Sequence, residues 1–257
     1  MALKQISNDV VFASKAMALV EVTKSNIEPD TDLGQRVTVN PWAIWGIDND
    51  YPQQIVDENS QDTTSSGALG FKIKAHFGMG LHLYTRRVEK DKEIITPAFL
   101  EDYAEIEDFF YRNDIENFQE GIVTDFEWFN QCYTQLIPNK TRNKIIDINR
   151  IPTVKTRIGI RDYNTGKIPA IYVSADWPQP VQGKYTTLPV FDRRNPFAHT
   201  NAVYIHKQPS VDKDYYPSPL WYSNIRWLSV SKKIPNWIQS NIDNSINVKY
   251  HVEIPNE

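Results

Sequence analysis

The hydrophobic periodicity of the chain changes near Cys132, and this change restricts the possible folds more than any other feature. Before it, apolar residues recur every three or four positions, which is the spacing of an amphipathic helix. After it, short runs rich in β-branched and aromatic residues alternate with Pro and Gly, which is typical of strands and turns. The pattern predicts an α+β fold.

The segment 97–130 predicts a pair of antiparallel helices. Pro97 begins the first helix, Asn113 and Asp114 interrupt the pattern, and the second helix ends near Phe129. The apolar positions that define the two helices are Phe99, Leu100, Tyr103, Ile106, Phe109, Phe110, Phe118, Ile122, Val123, Phe126 and Phe129.

Segment 132–211 predicts a block of short strands. We expect them in the runs YTQLIP, KIIDINRIP, VKTRIGIRDY, IPAIYVSADW and AVYIHK, with a hairpin turn at residues 164–166.

The first third of the chain carries weaker signals. Residues 1–22 fit either short strands or a helix, 25–34 predict a loop, and the segment 41–52 predicts an ordered extended loop because two X-Pro pairs disfavour helix. The run Asp62-Thr63-Thr64-Ser65 offers N-cap chemistry for a helix that ends at the Gly78-Met79-Gly80 turn, and 81–87 alternate like a strand.

The last quarter predicts a long helix. Ser218 offers an N-cap and Pro219 the first helical position, and the apolar pattern continues to Ile242 with a kink or a new segment at Pro235. About 26 residues would span roughly 39 Å. Residues 247–254 alternate like a further strand.

Composition excludes several classes of protein. The chain has 257 residues, a formal net charge of -4 and a single cysteine, Cys132, so we expect no internal disulfides and no multi-cysteine zinc site. No apolar run approaches the length of a membrane span, and the N-terminus does not resemble a signal peptide. These features predict a soluble protein of a reducing compartment, or one assembled there.

Charge is unevenly distributed along the chain. The segment 86–130 carries 13 acidic and five basic residues, whereas 139–167 carries eight basic and two acidic ones. Adjacent blocks of opposite sign favour electrostatic docking between copies, although two solvated faces of one domain would have the same composition.

No motif predicts catalysis, a metal or a cofactor. The five histidines are dispersed, and a solvated helix face accounts for the carboxylates Glu101, Asp102, Glu105, Glu107 and Asp108. Cys132 is expected to be a small buried residue, and Asp48, Asn49 and Asp50 are expected to cap turns of their loop.

Arg226, Lys232 and Lys233 form a modest basic stripe on the long C-terminal helix, interleaved with Trp227 and other aromatic residues. The stripe suits either contact with a nucleic-acid backbone or the polar rim of a helix-packing interface.

Four of these segments occur in a recognisable order. The segments are WGIDNDYPQQI, a helix ending in FGMGL, the helical pair, and a final segment that opens the long helix. The residues that carry the first and last segments are Trp45, Gly46, Asp48, Asn49, Tyr51 and Pro52, and Tyr216, Ser218, Pro219 and Leu220. Together the four segments resemble tailed-bacteriophage portal proteins of the Bacteroidetes phage and prophage type. The resemblance covers about residues 40–254. It implies an N-terminal arm (1–40), a wing-like α+β domain (41–217), a first stem helix (218–245) and the start of a clip (246–257).

The resemblance also implies a function. Portal proteins form a ring, typically of twelve subunits, at one capsid vertex of the virion, where the ring is the channel for DNA packaging and ejection. They dock terminase, capsid and tail-connector proteins, pass double-stranded DNA without sequence preference, assemble in the bacterial host cytoplasm, and are not enzymes. In that setting Arg226, Trp227, Lys232 and Lys233 would face the channel or a neighbouring subunit.

Two other functions remain open at this point. An aromatic-rich carbohydrate- or ligand-binding domain would expose several aromatic rings in one groove. A metal-dependent nuclease would assemble its site from dispersed Asp and His residues. Portal chains are usually much longer, so the resemblance implies a truncated chain, a proteolytic fragment or a degenerate prophage copy.

Overall fold

The computed structural model describes residues 40–243 except 90–91, 163, 181–183 and 212, together with three short strands in the first 21 residues. Helices and antiparallel sheets confirm the α+β prediction. The predicted strand at 247–254, and with it the clip-like segment, lies outside the described residues. The domain boundaries stay predictions.

The N-terminal strands form a three-stranded antiparallel sheet, which answers the question left open by the sequence. Strand β1 (Leu3–Ser7) pairs with β2 (Val10–Ala13), and β2 pairs with β3 (Leu19–Glu21). The predicted loop at 25–34 lies outside the described residues.

The first helix, α1 (Tyr51–Ser60), corrects the prediction of an extended loop over the whole of 41–52. The loop ends at Asp50, because Pro52 lies in the first helical turn, where its missing N–H costs no hydrogen bond. Helix α2 (Thr63–Phe77) is confirmed. The Asp62 side chain caps it by accepting a hydrogen bond from the Ser65 backbone N–H, and Gly78 ends it with a positive φ of 61°.

A hairpin follows, formed by β4 (Tyr84–Glu89) and β5 (Lys92–Pro97). The prediction that Pro97 begins a helix was wrong, because Pro97 is the last residue of β5 and pairs with Tyr84. A 3₁₀ turn (Leu100–Asp102) precedes α3 (Ala104–Arg112), and its apolar residues continue the helical spacing without belonging to the helix.

The second predicted helix is confirmed as α4 (Ile115–Phe129). It packs against α2 and against the first strand of the β-rich block.

The β-rich block forms two three-stranded antiparallel sheets, in the orders β11-β6-β7 and β10-β9-β8. All five predicted strands occur, and the turn at 164–166 is confirmed by the positive φ of Gly166. The sequence missed β10, since that strand is short and only Leu188 in it is buried. The strands are β6 (Gln131–Pro138), β7 (Ile145–Ile151), β8 (Thr156–Ile158), β9 (Ala170–Val173), β10 (Thr186–Pro189) and β11 (Ala202–Lys207).

The long C-terminal helix is present as three successive segments. A 3₁₀ turn (Leu220–Asn224) leads into α5 (Ile225–Ser231), and α6 (Lys233–Asp243) follows. The new segment begins two residues before Pro235, which therefore lies in the first turn of α6 and needs no kink. The predicted start was one position early, because Pro219 is the cap residue and Leu220 begins the turn.

Candidate interaction surfaces

The loop 41–50 is the centre of the hydrophobic core. Trp45 is fully buried, stacks on the Tyr216 ring at 4.2 Å and meets the Phe129 ring edge-on at 5.9 Å. Gly46 has a φ of 82°, and a Cβ there would lie 2.7 Å from the Tyr51 Cβ, so only glycine fits. The portal-like loop motif is thus a core-forming element.

Of the three residues predicted to cap turns of this loop, Asn49 does so, whereas Asp50 precedes α1 without a side-chain cap hydrogen bond. The Asn49 side-chain oxygen accepts a hydrogen bond from the Trp45 backbone N–H at 3.1 Å, and its amide nitrogen donates to the Pro178 carbonyl at 3.1 Å. Its own φ is 64°, in the left-handed region that Asn tolerates. By contrast, Asp48 is exposed, and Pro52 is buried in α1.

Arg157 binds this loop, a contact that no sequence pattern indicated. Its guanidinium is 1% exposed, donates to the side-chain and backbone oxygens of Asn49 at 2.7 and 2.6 Å, and lies 4.6 Å from the Trp177 ring centre. Burial lowers the pKa of Arg157 to about 10. One arginine in a run of eight basic residues carried no distinguishing signal.

Tyr216 connects the core to the C-terminal helices. Its hydroxyl donates to the Ala43 carbonyl at 2.8 Å and accepts from the Ile158 N–H at 2.9 Å. The Ser218 carbonyl accepts a hydrogen bond from the Asn130 side chain, and Leu220 is exposed. The portal-like helix-start residues therefore anchor the base of the helical segment and leave its later part projecting.

The helical segment buries one face and exposes the other. Ile225 and Leu228 face the core, whereas Trp227 and Trp237 are 73% and 69% exposed. Their spacing places the exposed apolar side chains along one side of the two helices. This apolar stripe consists of Trp227, Val230, Ile234, Trp237, Ile238 and Ile242.

A groove of about 510 Å³ separates the base of this segment from α2. Leu69, Ala68 and Trp221 contribute apolar walls, and Trp227 and Ile234 of the apolar stripe reach into the same groove. At its edge Ser231 donates to Asp62, the cap residue of α2. The stripe and the groove form one continuous apolar surface.

The basic stripe divides in the structure. Lys232 forms an ion pair with Glu58 of α1, and both side chains are largely buried. Arg226 and Lys233 are exposed on the helical segment. Lys232 thus has a partner within its own chain. That the basic stripe faces a channel or a neighbouring subunit stays a prediction.

The remaining candidate residues are dispersed or buried. Cys132 is buried as expected, and burial raises the pKa of its thiol to about 12. Glu101, Asp102, Glu105 and Asp108 are exposed. Nowhere in the described part of the chain do three metal-ligating side chains converge, and none of its helices is long and apolar enough to span a bilayer.

One charged cluster was not expected from the sequence. Glu127 of α4 is 6% exposed and binds Lys72 at 2.5 Å and His76 at 2.8 Å, both on α2. Burial alone would raise the pKa of Glu127, but the hydrogen bonds and charges of Lys72 and His76 outweigh it and hold the pKa below its ordinary value. The cluster joins α2 to α4.

Comparison with known proteins identifies the fold through solved structures. No protein-family model and no curated protein matches the chain. The fold is similar to that of a chain in the virion of a native gene transfer agent particle, with a TM-score of 0.52 and 9% identity over 79% of this chain and 46% of that one. A chain in the neck of an empty gene transfer agent particle, computed with C6 symmetry, gives a TM-score of 0.54 and 9% identity over 79% and 48%.

The chain therefore shares its fold with a chain in the virion and a chain in the neck of gene transfer agent particles. It spans about half the length of the solved chains that it matches. At 9% identity the likeness concerns the fold.

Proposed function

We propose that the chain is a structural subunit of the head–tail neck of a phage-like virion, and specifically a portal subunit. The observation that carries the proposal is the fold likeness, at a TM-score of 0.54, to a chain in a particle neck that was computed with C6 symmetry. The order of portal-like segments in the sequence points independently to the same class of protein.

In this role copies of the chain form a ring at the portal vertex of the capsid. The ring is the channel for packaging and ejecting double-stranded DNA, and it docks terminase, capsid and tail-connector proteins. The chain acts without a cofactor and catalyses no reaction. A net charge of -4 suits a channel along which DNA slides, because dense phosphate neutralisation would hold the DNA in place.

The apolar stripe supports assembly into a ring. Two exposed tryptophans and four aliphatic residues on one side of consecutive helices exceed what a solvated helix displays. Tryptophan is among the residues that contribute most to protein interfaces. We assign this surface to contact with a neighbouring subunit, with Arg226 and Lys233 at its polar edge.

The ligand-binding alternative has less support. It predicts several aromatic rings exposed in one groove, but the groove beside α2 is lined by two, Trp221 and Trp227, and Trp227 also belongs to the apolar stripe. Trp42 is buried against Tyr172, Trp177 and Tyr185 at centroid distances of 5.1 to 5.5 Å. These four aromatic rings pack against one another.

Light scattering on the purified chain tests the proposal. We expect a particle whose mass is a multiple of six times 29.8 kDa. A monomer that persists at concentrations of about 100 µM and binds an oligosaccharide would support the alternative instead.

A further inference from the structure

A small crevice lies where the 3₁₀ turn before α3 meets the corner between α3 and α4. Its volume is about 270 Å³. Leu100, Phe110 and Ile115 form apolar walls, and the exposed residues Tyr111, Asp114 and Glu116 complete the lining. An aromatic ring and two carboxylates around an apolar floor suit the aliphatic stem and charged head of an arginine or lysine.

The surroundings of the crevice are both acidic and aromatic. Phe99 and Tyr111 are 75% and 76% exposed, and Glu101, which follows the lining residue Leu100 in the 3₁₀ turn, is exposed as well. Within the described residues Glu101, Asp114 and Glu116 form no ion pair. A solvated helix face explains why the carboxylates are exposed. It does not explain why the large aromatic side chains among them are exposed to water as well.

A basic surface lies at one end of the β11-β6-β7 sheet. The β6–β7 loop carries Lys140 and Arg142, and the loop before β11 carries Arg193 and Arg194; all four are exposed. The two loops touch, since Arg142 donates to the Ala198 carbonyl at 3.5 Å. This juxtaposition joins basic residues more than 50 positions apart, which the sequence did not indicate.

Both loops are held in fixed shapes. The Asn139 side chain binds the backbone N–H of Asn143 at 3.0 Å, and the Asp192 side chain accepts from the Arg194 N–H at 2.9 Å. Arg193 lies over the Tyr204 ring at 5.3 Å. Such preorganisation lowers the entropy lost when charged side chains bind a partner.

We infer that the acid-rimmed crevice of one copy receives a basic side chain from these loops of a second copy. The two surfaces have opposite charge and every copy carries both, so the contact can repeat around a closed ring. The inference rests on the proposed ring and names the contact that would join its wing-like parts.

Charge reversal on the two surfaces tests the inference. The acid-surface variant is Glu101→Lys with Glu116→Lys, and the basic-surface variant is Lys140→Glu with Arg194→Glu. In sedimentation velocity at about 50 mM salt, we expect each variant to self-associate at least about tenfold more weakly than the wild type. A one-to-one mixture regains association, because each variant then meets the opposite charge.

A control matched to the basic-surface variant is Lys155→Glu with Lys184→Glu, two exposed lysines beside the β10-β9-β8 sheet that change the net charge by the same amount as that variant. We expect it to associate like the wild type. The inference would be overturned if both variants self-associate like the wild type. It would also be overturned if the one-to-one mixture does not regain association. Loss of binding to a DNA duplex by the basic-surface variant, with self-association intact, would assign the loops to phosphate and overturn it too.

These results are separable from the proposed function. Recovery in the mixture without any ring in electron micrographs would contradict the portal role and retain the contact. Rings that form unchanged from both variants would retain the portal role and remove the contact.

Discussion

At the level of single residues, Arg157 connects the loop 41–50 to the β-rich block. Besides Asn49 it donates to the carbonyls of Val154 and Thr156 at 3.1 and 2.9 Å, and it packs between the Trp45 and Trp177 rings. Four hydrogen bonds to neutral oxygens and two aromatic faces compensate a cation that burial disfavours.

Replacing Arg157 tests this connection. We expect Arg157→Met to lower the free energy of unfolding by about 3 kcal/mol, since it removes the Arg157 donor from the Asn49 backbone oxygen and one of the two donors to the Asn49 side-chain oxygen. Arg157→Lys restores the charge but not the planar set of donors, so it recovers only part of the loss. Urea unfolding followed by tryptophan fluorescence measures both; a loss below about 0.5 kcal/mol for Arg157→Met would show that the loop is held by packing alone.

Glu127 predicts a pH dependence of stability. Its pKa is lower in the folded state than the ordinary value of 4.5, so the ionised form stabilises the fold fully above pH 4.5. As the pH falls through 4.5 towards the folded pKa, the unfolded state binds the proton first and this stability is lost. We expect Glu127→Gln to flatten the decline below pH 4.5, measured by thermal unfolding from pH 3 to 7.

The control for Glu127 is Glu120→Gln, an exposed position on the same helix. It should leave the acid decline as in the wild type. An equal decline in Glu127→Gln would mean that other carboxylates cause it.

At the level of elements, the sequence predicted the types of most segments but fewer of their ends. Strong periodicity identified α4 and five strands, and cap chemistry identified α2. Periodicity placed the start of α3 too early, because the 3₁₀ turn before it has a similar spacing of apolar residues. The start of α1 was missed because Pro52, a residue type that disfavours helix at most positions, lies in the first helical turn. Those ends depend on contacts distant in sequence, such as the pairing of Pro97 with Tyr84.

Asp62 offers a test at this level, because it joins two elements. One carboxylate oxygen caps α2 through Ser65, and the other accepts a hydrogen bond from Ser231 of α5 at 2.7 Å. We expect Asp62→Ala to cost about 1 to 2 kcal/mol of stability in urea unfolding. Asp62→Asn keeps a good N-cap side chain and should lose less than half of that stability. A loss equal to that of Asp62→Ala would show that the charge of the carboxylate is what stabilises the fold.

At the level of the whole molecule, the surfaces were harder to predict than the fold. The basic stripe was recognised as a pattern, but pairing of Lys232 with Glu58 depends on the approach of α1 to the end of α5. The basic loops are likewise brought together by the pairing of β11 with β6. Sequence spacing carries no information on such distances. Helical periodicity likewise placed Trp227 and Trp237 in the apolar pattern of the last helix without indicating that they are exposed.

The apolar stripe leads to a further prediction. Trp227→Glu with Trp237→Glu should keep the fold, since both side chains are largely exposed, yet reduce self-association at least about tenfold because charge then lies in the interface. Light scattering measures the mass, and the thermal unfolding midpoint serves as the control for folding. Unchanged self-association would exclude the stripe from the interface.

Electron microscopy of the purified wild-type chain tests the central claim most directly. Two-dimensional class averages reveal rotational symmetry and any central opening without prior assumptions about either. The portal assignment predicts closed rings with sixfold or twelvefold symmetry around a channel wide enough for a DNA duplex. Compact particles without rotational symmetry, at a concentration where light scattering shows oligomers, would contradict it.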